Sequence, residues 1–303
     1  MAKLTLSFIS AFNERVEPLM NGTVQAEGIE LIPTYSHPAE TFWRQLKFGE
    51  FEVAEMSMSS YLIARSQGAD MIALPVFPSR RLFQTELSYH ADSGIAKPED
   101  LAGKRLGVAE YQQTAALWIR GILEHDFGVS QYKIHWYMER SEEMSHGAAT
   151  GFKPPPGISF KRIAPDKSLA LTLLENELDV AHIASEGARF YNQHGFLPVN
   201  HAYIIRGDIH KKHPWVAFNL YTGFVKAKVL AREKLPERIP TALFFGAEYL
   251  AMTREMIGDD PFPYGIKANQ AMLDTIIGYS HEQGLTPRKM EVKELFAEST
   301  LDL

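Results

Sequence analysis

The chain has 303 residues, of which 45% are hydrophobic and 22% are charged, and this composition excludes a disordered or low-complexity protein. Its length suits one large domain or two lobes of about 150 residues each. Thirty-one Lys and Arg against 37 Asp and Glu give a net charge of −6, and no basic run offsets it, which argues against nucleic acid as a partner. No apolar run reaches the roughly 18 residues that would span a membrane.

The sequence contains no cysteine, so disulfides, thiolate chemistry and cysteine-ligated metals play no part. The opening apolar stretch is interrupted at Asn13 and lacks the cleavage signature of a signal peptide. We therefore expect a cytoplasmic protein with no membrane partner. The sequence leaves the oligomeric state open, a homo-oligomer included.

Short strands and helices alternate in the first part of the chain. Alternating apolar side chains predict strands at residues 3–9 and 28–33, and a helix is expected at residues 39–48. The strand predicted at residues 51–55 runs directly into Met-Ser-Met-Ser-Ser, whose hydroxyls are good N-caps for the next helix. An apolar run at residues 71–76 predicts a buried strand.

The pattern then restarts near residue 98, as if a second structural unit began there. Residues 141–157 are rich in Gly, Pro and Ser, and they are expected to form a long loop whose role the sequence leaves open. Residues 200–206 form an extended apolar run that returns the chain to the first unit. The remaining predicted elements are strands at residues 104–108, 134–138, 158–163 and 178–183, and helices at residues 114–127, 168–176, 215–231, 240–257 and 266–283.

Strands that alternate with helices predict an α/β protein with mainly parallel sheets. The restart and the return predict two lobes, the second inserted in the first. Residues 1–92 and 204–303 are expected to form the first lobe, with a helical C-terminal region, and residues 93–203 the second. A hinged pair of lobes holds its ligand in the cleft between them.

Seven segments, which follow one another over nearly the whole chain, together carry a resemblance to one protein family. The segments are FEVAEMSMSSY at residues 51–61, IALPVFPSRR at 72–81, DLAGKRLG at 100–107, YQQTA at 111–115, HPWV at 213–216, DPFPYG at 260–265 and QGLTPR at 283–288. In these segments the chain resembles the 4,5-dihydroxyphthalate decarboxylases. The resemblance implies a type II periplasmic-binding-protein-like fold, used to decarboxylate a hydroxylated aromatic dicarboxylic acid to a protocatechuate-like product and CO₂.

Two other functions stay open at this point. A protein of the same fold can capture an aromatic acid without reacting, as solute-binding proteins do, and the same scaffold can carry other chemistry. In each case the expected partner is a small-molecule aromatic acid. The sequence implies no cofactor and contains no HExxH motif, but it leaves open a divalent metal held by distant residues such as His182, His201 and Glu55.

Decarboxylation of a phenolic acid needs an acid, a base and a clamp for the carboxylates. His182 lies in a predicted apolar strand and His201 in the returning run, and either could act as the acid if burial and a carboxylate tuned its pKa. Glu55 ends its strand beside the serines and is a candidate base. Core packing and capping are the plainer explanations for these residues, and the sequence does not choose between the two histidines.

Hydroxyl groups at predicted helix starts are the first candidates for the clamp. Ser57, Ser59 and Ser60 lie where a strand gives way to a helix, so hydroxyls and free N–H groups converge there. Thr114 repeats the arrangement in the second lobe. Two helix N-termini facing each other across a hinge suit a dicarboxylate, although ordinary capping explains each serine taken alone.

Ser79, Arg80 and Arg81 follow a buried strand at its carboxyl end, where α/β sheets present binding groups. An arginine there can hold a carboxylate through two parallel hydrogen bonds, and a surface salt bridge is the alternative. Tyr111 and Tyr264 lie in predicted loops and are candidates to line an aromatic ligand.

Overall fold

The computed structural model describes residues 2–182, 191, 193–242 and 245–303. Within these ranges it has two five-stranded sheets. The strands are β1 (Leu4–Ser10), β2 (Ile29–Tyr35), β3 (Val53–Ser57), β4 (Met71–Arg80), β5 (Leu87–Tyr89), β6 (Arg105–Val108), β7 (His135–Met138), β8 (Ser159–Arg162), β9 (Val180–His182) and β10 (Val199–Arg206).

Helices cover the faces of both sheets. They are α1 (Glu17–Met20), α2 (Pro38–Phe48), α3 (Met58–Ser66), α4 (Thr114–Phe127), α5 (His146–Thr150), α6 (Leu169–Leu174), α7 (Gly207–Lys212), α8 (Trp215–Ala242), α9 (Gly246–Ile257), α10 (Gln270–Glu282) and α11 (Val292–Leu295). In the part of the chain that the structure describes, no helix is both long and apolar enough to cross a bilayer.

The first sheet has the order β2-β1-β3-β10-β4. Its strands β1, β2 and β3 are parallel, whereas β10 is antiparallel to both β3 and β4. The second sheet has the order β5-β9-β6-β7-β8, with β6 parallel to β7 and β9, and with β5 antiparallel at one edge. The fold is therefore a two-lobed α/β structure with mainly parallel sheets, and the second lobe is inserted in the first.

The chain changes sheets earlier than the boundaries predicted at residues 92 and 203. Strand β5 already pairs with β9 of the second sheet, and β10 pairs with the first sheet from Val199 onward. The two crossing segments run side by side, because the Arg81 N–H donates to the Pro198 carbonyl at 3.1 Å. This paired crossing is where the chain passes between the two sheets.

The C-terminal helices, which the sequence assigns to the first lobe, also hold the second. Helix α10 packs on α4 through Tyr279, whose ring lies against Trp118 at 5.6 Å between centroids. The Gln283 amide that follows α10 donates to the Leu117 carbonyl at 3.0 Å and accepts from Arg120 Nε at 2.8 Å. Helix α4 is therefore buried between the second sheet and the C-terminal region.

The sequence predicts a long loop at residues 141–157, and this prediction is wrong for the centre of the stretch, where α5 forms. The Ser145 hydroxyl caps α5 by accepting from the N–H groups of Gly147 and Ala148. The buried carboxylate of Glu110 accepts from the N–H of His146 at 3.0 Å. Because this carboxylate comes from a distant strand end, local sequence patterns do not show it.

Candidate active site

Polar residues gather at one edge of the first sheet, where its parallel strands end. Strands β1, β3 and β4 finish there at Ser10, Ser57 and Arg80. Strand β10 runs the opposite way, so its first residues, up to His201, lie at the same edge. The carboxyl ends of parallel strands are the usual place for binding groups in α/β proteins, and this edge faces the second lobe through Thr114.

A buried acid–base pair, formed by Glu55 and His201, lies at this edge. His201 Nδ1 is 2.6 Å from Glu55 Oε1. The second carboxylate oxygen accepts from the Ala11 N–H at 2.8 Å and from the Ser10 hydroxyl at 3.1 Å. Ser10 also contacts the Tyr203 hydroxyl at 2.7 Å. The carboxylate is thus buried but fully hydrogen-bonded, as a charged group away from water must be.

Electrostatics keeps the Glu55 carboxyl ionised. Burial alone would raise its pKa, but the hydrogen bond and the charge of His201, with the bonds from Ala11 and Ser10, bring the pKa below its ordinary value. A carboxylate only accepts hydrogen bonds, so the proton lies on His201 Nδ1. This leaves Nε2 as the nitrogen that can give or take a proton.

The backbone around His201 is irregular in a way that aims its ring. The pairing of β10 with β4 shifts register on both sides of His201, and such bulges re-orient side chains beside active sites. The imidazole lies edge-on to Phe42 of α2, with ring centroids 4.7 Å apart. Its Nε2 makes no hydrogen bond to any residue in the described ranges.

The two helix N-termini predicted to face each other do meet. Ser57 caps α3, and its Oγ lies 2.8 Å from Oγ1 of Thr114, the first residue of α4. The Thr114 hydroxyl also accepts from the Ser59 N–H at 3.1 Å. The structure therefore brings Ser57, Ser59 and Thr114 together across the junction of the lobes.

Two hydroxyls at the start of α3 have no hydrogen-bond partner among the described residues. Ser59 and Ser60 are buried, yet neither side-chain oxygen is hydrogen-bonded to a residue that the structure describes. Buried polar atoms are normally satisfied. Unpaired donors beside a helix N-terminus are suited to hold an anion.

Ser79, Arg80 and Arg81, at the end of β4, differ in their burial and in their contacts. Ser79 is half-buried, and its backbone pairs with His201. The buried Arg80 guanidinium donates to the carbonyls of Leu197 and Pro263, each at 2.9 Å, and to the side-chain oxygen of Asn269. Arg81 is 57% exposed and forms an ion pair with Glu86. Arg80 thus ties the crossing segments to the C-terminal region, and Arg81 matches the surface salt bridge that the sequence left as the alternative.

The two candidate tyrosines are both buried. Tyr111 lies in the loop before α4, as the sequence predicts, but its side chain is buried inside the second lobe, where its hydroxyl donates to Gln131 at 2.7 Å and its ring lies 3.9 Å from the Arg120 guanidinium. Tyr264 lies in the first lobe under Lys228. Burial raises the pKa of its hydroxyl, which has no hydrogen-bond partner within the described part of the chain.

The predicted role of His182 falls outside what the structure describes, because only its backbone, paired with Leu87, is given. Among the described residues no three His, Asp or Glu side chains cluster as a metal site would require. The metal alternative built from His182, His201 and Glu55 therefore stays a prediction.

A second polar cluster, which the sequence analysis missed, comes from the other lobe. Glu110 follows β6, is fully buried and accepts from Arg140 and from the N–H of His146. The His146 ring lies edge-on to Phe42 with centroids 5.6 Å apart, so Phe42 contacts both His146 and His201. Two sequence features could have indicated this cluster: Glu110 follows a predicted strand, and Ser145 and His146 are adjacent within the predicted loop at residues 141–157.

These features define the class of protein: a two-lobed α/β chain of the periplasmic-binding-protein type, with an acid–base pair at the junction of its lobes. Residues 24–151 match the family described as "NMT1/THI5 like". The alkanesulfonate-binding protein SsuA from Xanthomonas axonopodis pv. citri, bound to MOPS, has the same fold, with a TM-score of 0.55 and 13% identity over 98% of both chains.

Two curated proteins that are similar to this chain in sequence identify its family within this class. A 4,5-dihydroxyphthalate decarboxylase of Comamonas testosteroni is 29% identical over 326 aligned positions, which cover 100% of this chain and 99% of the relative. A 4,5-dihydroxyphthalate decarboxylase of Pseudomonas putida is 35% identical over 180 positions, or 59% of this chain and 70% of the relative. The chain belongs to the 4,5-dihydroxyphthalate decarboxylase family.

Proposed function

We propose that this protein is a carboxy-lyase that releases CO₂ from a 4,5-dihydroxyphthalate-like acid and leaves a protocatechuate-like product. Family membership supplies the reaction class. In this chain, the proposal rests on the buried pair of Glu55 and His201, whose Oε1 and Nδ1 atoms are 2.6 Å apart at the junction of the lobes. A protein that only captures its ligand has no need of such a pair.

The pair supplies the acid that the reaction requires. In its protonated form, His201 donates the proton on Nε2 to the ring carbon that bears the carboxylate. Electrons released from the hydroxyl para to that carbon support the new C–H bond. The C–CO₂ bond then breaks, its electrons restore the aromatic ring, and CO₂ leaves. His201 regains a proton from solvent, so one proton is consumed for each CO₂ released.

Glu55 has a positioning role in this scheme. Its carboxylate fixes the imidazole with Nδ1 protonated and stabilises the positive charge that His201 carries before transfer. Removal of either partner would leave the other buried without its hydrogen bond, which is costly for charged groups. The two residues therefore act as one unit.

The start of α3 is suited to hold a carboxylate. The hydroxyls of Ser59 and Ser60, which have no partner within the described ranges, are buried beside the N-terminus of this nine-residue helix. Ser57 and Thr114 bond to each other across the lobes at 2.8 Å, and a carboxylate between them would accept from both. Binding energy from the carboxylate that does not react can orient the one that does.

The substrate experiment compares 4,5-dihydroxyphthalate with phthalate, using CO₂ release by the purified protein. We expect turnover of the first and much slower turnover of phthalate, because phthalate lacks the para hydroxyl. Equal rates with both acids would contradict the mechanism. Tight binding of both without CO₂ release would support the solute-binding alternative. Metal analysis and a chelator arm separate a metal-assisted reaction from a metal-independent one.

Substitution of the pair tests its role. His201→Asn and Glu55→Gln should each lower kcat by about 10²-fold, the usual contribution of general acid catalysis, with a smaller change in KM. The matched control is His125→Asn, since His125 is a half-exposed histidine of α4 paired with Glu282 at 2.7 Å. We expect the control to keep wild-type turnover. Near wild-type kcat in both site variants would show that this pair does not supply the proton.

A further inference from the structure

The proposed reaction needs a second group that the pair of Glu55 and His201 does not supply. Electron release from the para hydroxyl is strongest when the hydroxyl loses its proton, so a base must accept that proton while His201 delivers another to the ring. When the ring regains aromaticity, the phenolate takes the proton back. The second group must therefore lie near His201 and be able to exchange a proton.

His146 meets these conditions. It is the first residue of α5, is 4% exposed, and comes from the second lobe. Its Nδ1 is buried and has no hydrogen-bond partner in the described ranges. Its ring and that of His201 both contact Phe42, with centroids 5.6 Å and 4.7 Å from the phenyl ring. The two histidines thus approach one aromatic side chain from opposite lobes.

The Nε2 atom of His146 has two neighbours that require opposite states of this nitrogen. The carbonyl of Ala39, in α2 of the first lobe, lies at 3.0 Å and can only accept. Arg140 Nη1, from the second lobe, also lies at 3.0 Å and can only donate. When Nε2 carries the proton and donates to Ala39, the neutral ring has a bare Nδ1. The contact with the first lobe therefore selects the form that can accept a proton at Nδ1.

The surrounding charges suit a group that takes up a proton and returns it. Glu110 Oε1 lies 3.8 Å from Nδ1 and would stabilise the protonated ring. Burial, which is the largest effect, and the charges of Arg140 and His201 lower the pKa of His146, whereas Glu110 raises it. The net result is a pKa below the ordinary value. The neutral form is thus favoured, with a carboxylate beside the nitrogen that receives the proton.

We propose that His146 is the second acid–base residue of this site, which accepts the phenolic proton at Nδ1, and that contact between the lobes through the Ala39 carbonyl makes it competent. This inference rests on the proposed function. Release of the Ala39 contact on opening would let Arg140 donate to Nε2, which places the ring proton on Nδ1 and removes the base. The proton would then be exchanged only while the lobes are in contact.

The kinetic test is the pH profile of kcat for His146→Asn with 4,5-dihydroxyphthalate. We expect kcat to fall about 10-fold or more and the limb of the profile that reports the base to disappear, while phthalate affinity stays within about threefold. The matched control is His135→Asn, since His135 is an exposed histidine of the same lobe bonded to Ser159. A wild-type profile in His146→Asn would overturn the proposal.

A second measurement tests the role of His146 without relying on CO₂ release or on a variant that could fold poorly. Imidazole NMR of the wild-type protein with isotope-labelled histidine reports the tautomer and pKa of His146 with and without saturating phthalate. We expect bound phthalate to favour the tautomer with the proton on Nε2 and to change the pKa. If bound phthalate leaves the His146 signals unchanged, the proposal for His146 is wrong even when the protein releases CO₂. If the His146 signals shift but no CO₂ is released, the result supports a proton-exchanging site and contradicts only the decarboxylase function.

Discussion

A buried arginine whose described partners are carbonyl and amide oxygens shows how much a single side chain depends on its tertiary surroundings. Arg80 and Arg81 are neighbours in the sequence, yet the first is buried under carbonyl oxygens and the second is exposed. Burial lowers the pKa of Arg80 to about 10, and the carbonyls of Leu197 and Pro263 with Asn269 replace its water. These contacts predict a structural role for Arg80 where the chain crosses between the two sheets.

This assignment predicts different outcomes for the two arginines. Arg80→Ala should lower the free energy of unfolding by about 2 kcal/mol or more, because several hydrogen bonds from a charged donor are lost and the carbonyls stay buried. Arg81→Ala should change stability by less than about 0.5 kcal/mol, as exposed ion pairs contribute little. Urea unfolding measures both, and calorimetric titration with phthalate provides the control for binding. A large loss of phthalate affinity in a stable Arg81 variant would instead show that Arg81 is the clamp.

At the scale of elements, the contact between α4 and α10 joins the second lobe to the C-terminal region. The two helices approach closely because α4 has a glycine, Gly121, where the Tyr279 ring packs. A Cβ built at Gly121 would lie 2.1 Å from this ring. At Gly278, in α10 itself, the nearest atom to a built Cβ is the end of the Glu282 side chain at 3.8 Å. The two glycines thus share a helical setting but differ in packing.

Gly121→Ala and Gly278→Ala are a matched pair of variants. The first should lower the free energy of unfolding by about 1–3 kcal/mol, since the added methyl group displaces Tyr279 from a packed interface. The second should raise it by about 0.5–1 kcal/mol, because alanine favours a helix interior over glycine. Thermal and urea unfolding report the differences. Equal effects at the two positions would mean that close packing of α4 on α10 does not hold the lobes.

Helix α8 illustrates a limit of sequence patterns at this scale. The sequence predicts one helix that ends at residue 231 and another that begins at residue 240, whereas α8 continues through Pro236 and Pro240 to Ala242. Proline inside a helix costs a hydrogen bond and strains the preceding turn. The extension is stabilised by pairing with α9, since Leu235 and Ile239 line a groove of about 280 Å³ together with Leu250.

At the scale of the whole molecule, pH should affect stability through the buried groups at the lobe junction. Burial lowers the pKa of His146 below its ordinary value of 6.5, so the unfolded chain binds that proton more readily than the folded chain. Stability should therefore fall as the pH drops below about 6.5. The pKa of Glu55 is also lowered, so its contribution is present above about pH 4.5 and is lost as the pH falls through the folded-state value.

The variant His146→Gln isolates the first effect. Its free energy of unfolding should depend less on pH between about 7 and 5 than that of the wild type, because the group that resists protonation is absent. The measurement is urea unfolding at several pH values in this window. His125→Gln, which changes a half-exposed histidine, should keep the wild-type slope. If His146→Gln has the same slope as the wild type, His146 does not remain neutral in the folded protein.

The sequence by itself determined the α/β architecture, the insertion of one lobe in the other, and the segments that resemble the family. It also predicted that the serines after Glu55 would face Thr114, although Glu55 lies inside β3, which continues to Ser57, and not at the strand end that the sequence predicts. These features follow from local periodicity, capping and strand ends, which a single sequence displays. The same patterns left His182 and His201 in competition.

Only the tertiary structure decided which residues meet. Glu55 and His201 are 146 residues apart in sequence, and an antiparallel strand with shifted register brings them into contact. His146 lies in a stretch without apolar periodicity, and the start of α5 there is held both by the Ser145 cap and by the distant carboxylate of Glu110, which accepts from the first N–H. Such contacts depend on how the sheets pair and how the lobes touch, and neither leaves a local pattern in the sequence, because long-range pairing is set by packing of the whole chain.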